Sequence, residues 1–394
     1  EAAYRFITLE SFESSKVSAM EYRLTSLKEL NLTDLLEKQT LTAEKLNETS
    51  ELRYFQKLRD KIWLVDFKLS VAIRKNRTKL EMAAKTILQI NPYQSLLDFA
   101  MAKSYNHLLN RHRAFYQVKH AFDYQEANKL FAIYESGVCS DSKFVRAMYL
   151  LAQFVVLEKT EVYPELKSIV FNKKLITSAA DQENILIGML GHITKQIEKE
   201  NDSWRIEMFD IYDYRLKNNL WSIHGELAYT TLINIVHNAI FLKKEEYAEE
   251  TVIKLAAFIP AHIRNDVTNL CMAIIHFHKK NIDESHALLV SIQTENIVIK
   301  YELRTLQAMI FFARQDYITL LSHLESFKHF IIYNKSLVEE VFMQAAAKFC
   351  NYLMQLCKLR LDPNKKNVEK LRKTIEADRF FLKQWLLENI EQTP

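Results

Sequence analysis

His276, His278 and His286 stand close together in the stretch AIIHFHKKNIDESHALL, residues 273–289. Neutral imidazole is the commonest metal ligand, and helical zinc sites place two histidines one turn apart. The spacing here is different. Residues two apart on a helix differ by about 200°, so His276 and His278 point to nearly opposite faces. His286 falls beyond a corner, on the partner helix, and no HExxH occurs in the chain. The stretch reads as a helical hairpin and no metal is expected. His107, His112 and His120, in NHLLNRHRAFYQVKHAF, have offsets that do not bring two imidazoles onto one turn. Asp210 and Asp213 in FDIYDYR are one turn apart and could act as an acid–base pair. Carboxylates at that spacing more commonly form the wet face of an amphipathic helix, and that reading is taken.

Phosphate chemistry needs backbone that approaches the ligand closely, which glycine permits. Glycine occurs only at 137, 188, 191 and 225, with no GxGxxG, GxxxxGK[ST] or GxSxG. No cofactor and no catalytic activity are expected. Gly188 and Gly191, in IGMLGH, read instead as points of close helix packing. Two basic clusters, IRKNRTK with Arg74 and NRHR with Arg111 and Arg113, suit helix ends, where cations complement the dipole. They are also the residues that could line an anion groove. They do not recur from repeat to repeat, and Lys+Arg 53 against Asp+Glu 49 leaves a net charge of only +4, so nucleic acid is not an expected partner.

Four glycines and five prolines in 394 residues are too few for the turns of a sheet protein, and apolar residues recur at helical spacing almost throughout. The fold class expected is all-α. Cys139, Cys271, Cys350 and Cys357 have no CxxC spacing and read as reduced core thiols of a cytoplasmic protein. No apolar run of about 18 residues is present, so no membrane partner is expected. The opening EAAYRFITLESFESS reads as the middle of a helix, which suggests a preceding helical segment.

Three stretches, NAIFLKKEEY, AIIHFHKKNI and AMIFFARQDY, repeat one pattern of helix end, polar corner and new helix. Aligning their last residues, Tyr247, Ile282 and Tyr317, gives a period of 35, with Asn238, Ala273 and Ala308 nine residues before each corner. This pattern resembles the tetratricopeptide repeat. Ser285 supplies the small residue usual three positions after the corner, while Glu250 and Leu320 do not. HAFDYQEANKLF, residues 120–131, matches better, with Tyr124 and Ala127 three apart; residues 141–220 are helical without a period. More widely, YRLTSLKELNLTDLLEKQ (22–39), LESFKHFIIYNKSL (324–337) and FFLKQWLLENI (380–390) resemble an uncharacterised bacterial family of helical-repeat proteins. That resemblance implies a right-handed α-α superhelix, or solenoid, in the cytoplasm, and implies no activity.

The organisation expected is one continuous solenoid of degenerate tetratricopeptide-like hairpins. It comprises an N-terminal region over 1–220, three repeats over 221–335 and C-terminal capping helices over 336–394, with an amphipathic helix around Trp385 closing the end. Solenoids of this kind bind extended peptides along the face lined by the first helix of each pair. That face would present Leu242 and Lys243, Phe277 and His278, and Phe312 and Ala313, and Arg74, Arg111 and Arg113 are the further candidates for partner contact. Aromatic residues at these positions serve equally well as core. The expected function is a non-enzymatic scaffold for a protein or peptide partner. The alternative is the helical sensor region of a ligand-responsive regulator with its effector domain upstream.

Overall fold

In the computed structural model the described residues are 20, 23–25, 27–28, 33–49, 54–75, 92–117, 122, 124–137, 142–199, 202–222, 225–335, 340–362, 365–378, 380 and 382–391. Every regular element among them is helical. Packing divides the chain into two compact units, residues 1–192 and 193–394.

The first unit contains α1 (Thr33–Thr49), α2 (Tyr54–Lys75), α3 (Pro92–Gln117), α4 (Tyr124–Glu135), α5 (Lys143–Val156), α6 (Tyr163–Val170) and most of α7 (Ala179–Glu198). Helix α1 packs on α2, α2 on α3, α3 on α4 and α5, and α5 on α6. The sequence of α5, KFVRAMYLLAQFVV, is apolar on nearly every side, and a helix of that kind must be enclosed. It is buried along most of its length. Ser142 caps its first turn by accepting the Val145 amide, and Pro164 opens α6 at a position where no amide donor is needed. Tyr54 ties three elements together. Its ring stacks on Phe144 at 4.1 Å, its hydroxyl lies 2.7 Å from Ser142 Oγ, and its amide donates to the buried Asp181 carboxylate. The two glycines of IGMLGH differ. A Cβ on Gly188 would stand 3.1 Å from Leu151 Cδ2, so that glycine does permit close packing, whereas a Cβ on Gly191 would meet nothing within 4 Å.

The second unit begins with α8 (Trp204–Lys217) and continues through three hairpins. These pair α9 (Tyr229–Phe241) with α10 (Glu245–Leu255), α11 (Arg264–His278) with α12 (Ile282–Val290), and α13 (Ile297–Ala313) with α14 (Tyr317–Tyr333). Helix α11 packs against both α9 and α13, α10 packs on α11, and α12 packs on α13. Helices α15 (Glu340–Leu361), α16 (Lys365–Ala377) and α17 (Lys383–Glu391) follow. Leu386 and Ile390 of α17 are buried, and Trp385 reaches the rings of Phe312 at 5.7 Å and Phe349 at 6.2 Å.

Each hairpin turns through the same device. Lys243, Lys280 and Gln315 adopt left-handed φ values of 56°, 67° and 59°. The following amides of Lys244, Asn281 and Asp316 donate back to the carbonyls of Ala239, His276 and Phe311 at 2.9, 2.9 and 3.0 Å. This is the helix ending that satisfies the last orphan carbonyls, built here without the glycine it usually uses.

These corners correct the repeat alignment. The residue equivalent to Ile282 and Tyr317 is Glu245, not Tyr247, so the first interval is 37 residues and the second 35. The connection over 256–263, which contains a 3₁₀ turn at Ala256–Phe258 and Pro260, is two residues longer than the one over 291–296. In this register Ala248 stands opposite Ser285, and both are fully buried. Ser285 Oγ donates to the Ala273 carbonyl at 2.7 Å. The first hairpin therefore does carry the small residue that the 35-residue alignment denied it.

Among the described residues no helix is long and apolar enough to cross a membrane. Cys271, Cys350 and Cys357 are buried, unpaired thiols, and burial pushes the latter two up to about 12 and about 11.

Candidate functional site

The face shared by α9, α11 and α13 was the expected partner surface, and its aromatic members prove to be core. Phe277 and Phe312 are only 4% and 5% exposed. Phe312 is covered from three directions, by Tyr317 at 5.9 Å, Trp385 at 5.7 Å and the Arg360 guanidinium at 5.8 Å. Their structural equivalent in the first hairpin is Ile240 rather than Leu242. Leu242 is half-buried at the end of α9, and Lys243 is the exposed left-handed corner itself. His278 is largely buried; desolvation, with His237 and Lys280 nearby opposing its charging, pushes its imidazole down to about 4.

Two side-chain contacts link α9 directly to α13. His237 Nε2 on α9 lies 3.1 Å from Glu302 Oε2 on α13. Tyr229, the first residue of α9, meets Asn296 at the start of α13: Nδ2 donates to the hydroxyl at 3.0 Å, and the hydroxyl stands 3.3 Å from Oδ1. Helix α11 lies between them and packs on both, with Cys271 fully buried.

The remaining candidates are dispersed. Arg111 is held in an ion pair by Glu126, and Arg113 is exposed. The side chain of Arg74, in the last turn of α2, lies outside the described residues, as do Arg77, Lys79, His120 and Cys139. His276 Nδ1 lies 3.4 Å from Asn281 Nδ2, His286 faces the Phe311 ring at 6.5 Å, and His112 faces Phe122 at 5.1 Å. Asp213 pairs with Lys217 at 2.7 Å on the surface of α8. Among the described residues no three His, Cys, Asp or Glu side chains converge as a metal site.

A surface that the sequence did not announce lies on α14. This helix has 17 residues, whereas its counterpart α12 has 9. The eight extra residues add about 12 Å of helix. They carry Phe330, Ile332 and Tyr333, the last two 65% and 88% exposed. Together with Arg304 of α13, Ser326, His329 and Asn334 they line an open pocket of about 530 Å³. The Arg304 guanidinium lies 4.6 Å from the Phe330 ring centre, and Nη1 donates to Ser326 Oγ at 3.4 Å. Its backbone is held as well, since His323 Nε2 donates to the Arg304 carbonyl at 2.8 Å.

The register shows how this hairpin differs from the one before it. Asn269 and Ser291 occupy the positions of Arg304 and Ser326, and there a short amide–hydroxyl contact of 2.9 Å closes the hairpin. In the third hairpin the longer cation reaches past the hydroxyl onto the aromatic ring. The legible signal was the apolar run FIIY at 330–333, continuing beyond the point where α12 had already ended. No protein-family model, no curated protein and no solved structure matches the chain.

Proposed function

We propose that this chain is a non-enzymatic protein-interaction scaffold. Its second unit is built as a short right-handed solenoid of degenerate tetratricopeptide-like hairpins. Three features support the solenoid: the recurring left-handed corner, the succession of first helices α9, α11 and α13, and the buried small residues Ala248 and Ser285 where paired helices meet. Hairpins of this kind cannot bury their apolar faces alone, and stacking them produces a rigid frame whose surface irregularities are available for recognition.

The observation that carries the binding role is the exposed Ile332 and Tyr333 beside an arginine whose guanidinium lies 4.6 Å from the Phe330 ring centre. Tyr, Arg and large aliphatic side chains gathered at one place are the composition of an interface centre. The scaffold therefore presents its partner surface on the overhanging end of α14, and the face of the first helices serves as the internal seam of the stack.

The test is affinity purification of the tagged full chain from its native host, alongside an Ile332→Ser, Tyr333→Ser double variant. Both residues are exposed, so the variant retains the wild-type fold and melting temperature. A discrete partner captured by the wild type and lost by the variant supports the reading. A partner retained by both, or none captured by either, removes it.

A further inference from the structure

We propose that the Arg304 pocket seats an acidic side chain from within a partner polypeptide, with an adjacent apolar residue of that partner lying on Ile332 and Tyr333. This rests on the interaction role argued above and names the chemistry recognised.

The inference starts from the state of Arg304. Other arginines of the chain discharge onto carboxylates: Arg146 onto Glu165 at 2.7 Å, Arg314 onto Asp283 at 2.6 Å, Arg372 onto Glu376 at 2.9 Å. Arg264 donates to the carbonyls of Ile259 and Ala257. Arg304 has no carboxylate partner among the described residues; burial alone acts on it, and burial lowers its pKa. A partly buried guanidinium with no carboxylate beside it is a site where a bound carboxylate gains a charge-assisted hydrogen bond.

The site is also prepared for that ligand. The Phe330 ring 4.6 Å away and the Ser326 hydroxyl hold the guanidinium, whose fork of donors is suited to a planar carboxylate. Fixing the side chain beforehand removes ordering cost from the binding step. Ser326 and His329 add hydrogen-bonding groups at the same rim.

The source of the carboxylate follows from shape. The pocket is open rather than walled, and its floor continues along α14 to the exposed Ile332 and Tyr333. A passing segment fits such a surface, with its acidic side chain turned inward and its neighbour on the apolar patch. A chain end would need an enclosing wall and backbone donors, which the lining residues do not form.

The test uses the full chain and an array of end-blocked peptides. Each peptide carries a central Asp, Glu, Asn or Gln beside a Leu, Phe or Ser, and a second set ends in a free C-terminal carboxylate without any acidic side chain. The expected result is retention of the acidic, apolar-flanked, end-blocked peptides, at least tenfold weaker with Arg304→Met and weakened less by Arg304→Lys, each variant first shown to keep its helical circular dichroism. Equal retention of acidic and amide peptides, unchanged binding by Arg304→Met, or retention only of the free-carboxylate set overturns the proposal. If acidic and amide peptides bind alike and Tyr333→Ser abolishes both, the interaction surface stands while the carboxylate proposal falls. If no peptide of any class is retained, both fall.

Discussion

His237 and Glu302 are 65 positions apart in sequence and 3.1 Å apart in space, and they join the first and third hairpins across the second. Tyr229 and Asn296 make a second link between the same two hairpins, and α11 packs on both. A partially buried pair of this kind contributes little net energy, but removing one member strands the other.

Glu302→Gln and His237→Gln are each expected to destabilise the chain by about 1 kcal/mol, and the double variant by less than the sum. Urea denaturation of the four proteins measures the coupling. Strict additivity would mean that the two side chains do not interact in solution.

Phe277→Ala and Phe312→Ala are each expected to cost about 3–5 kcal/mol, because both rings are buried and their removal leaves a cavity. The same substitution at exposed Tyr333 is expected to fall within about 0.5 kcal/mol of wild type. A loss below 1 kcal/mol at Phe312 would place that ring on a surface.

Stability is expected to fall as the pH drops from 7 to 5. Burial holds the His278 imidazole down to about 4 against an ordinary 6.5, and burial also lowers His323, whose neighbour Arg304 opposes its charging. Protons then bind the unfolded chain first, so this stabilisation is complete above about pH 6.5 and is lost towards pH 4. His278 alone accounts for about 2 kcal/mol between pH 7 and 5. Denaturation of His278→Gln at the two pH values checks this; an unchanged pH slope refutes it.

Lys280→Gly and Gln315→Gly are expected to stabilise by roughly 0.5–1 kcal/mol each, since both residues hold positive φ at a helix end. Lys279→Gly, one residue earlier at φ −71°, is expected to destabilise instead. Thermal melts separate the two directions. Stabilisation at 279 with loss at 280 would place the corner elsewhere.

The all-α class was legible because scarce glycine and proline and a pervasive helical period point the same way. The corners at Ile282 and Tyr317 were legible because their two stretches repeat one pattern 35 residues apart. That at Glu245 was not, because the longer connection before α11 shifts the frame and Tyr247 imitates Tyr317 in chemistry. Tyr247 in fact packs on Phe209 at 4.7 Å, two positions into its helix. The fate of Phe312 was hidden for another reason. Its cover comes from Trp385, far along the chain, and an aromatic residue in a stack of helices looks the same whether it meets a partner or its own C-terminus. The Arg304 pocket depends on one helix outlasting its counterpart, a difference of length that local spacing does not encode.

The most direct measurement is site-specific photo-cross-linking in the native host, with the reactive side chain placed at Tyr333 in one strain and at Lys243 in another. A discrete protein adduct from position 333 and none from position 243 is the predicted result. The reverse pattern would return the partner to the face of the first helices and contradict a binding surface on α14.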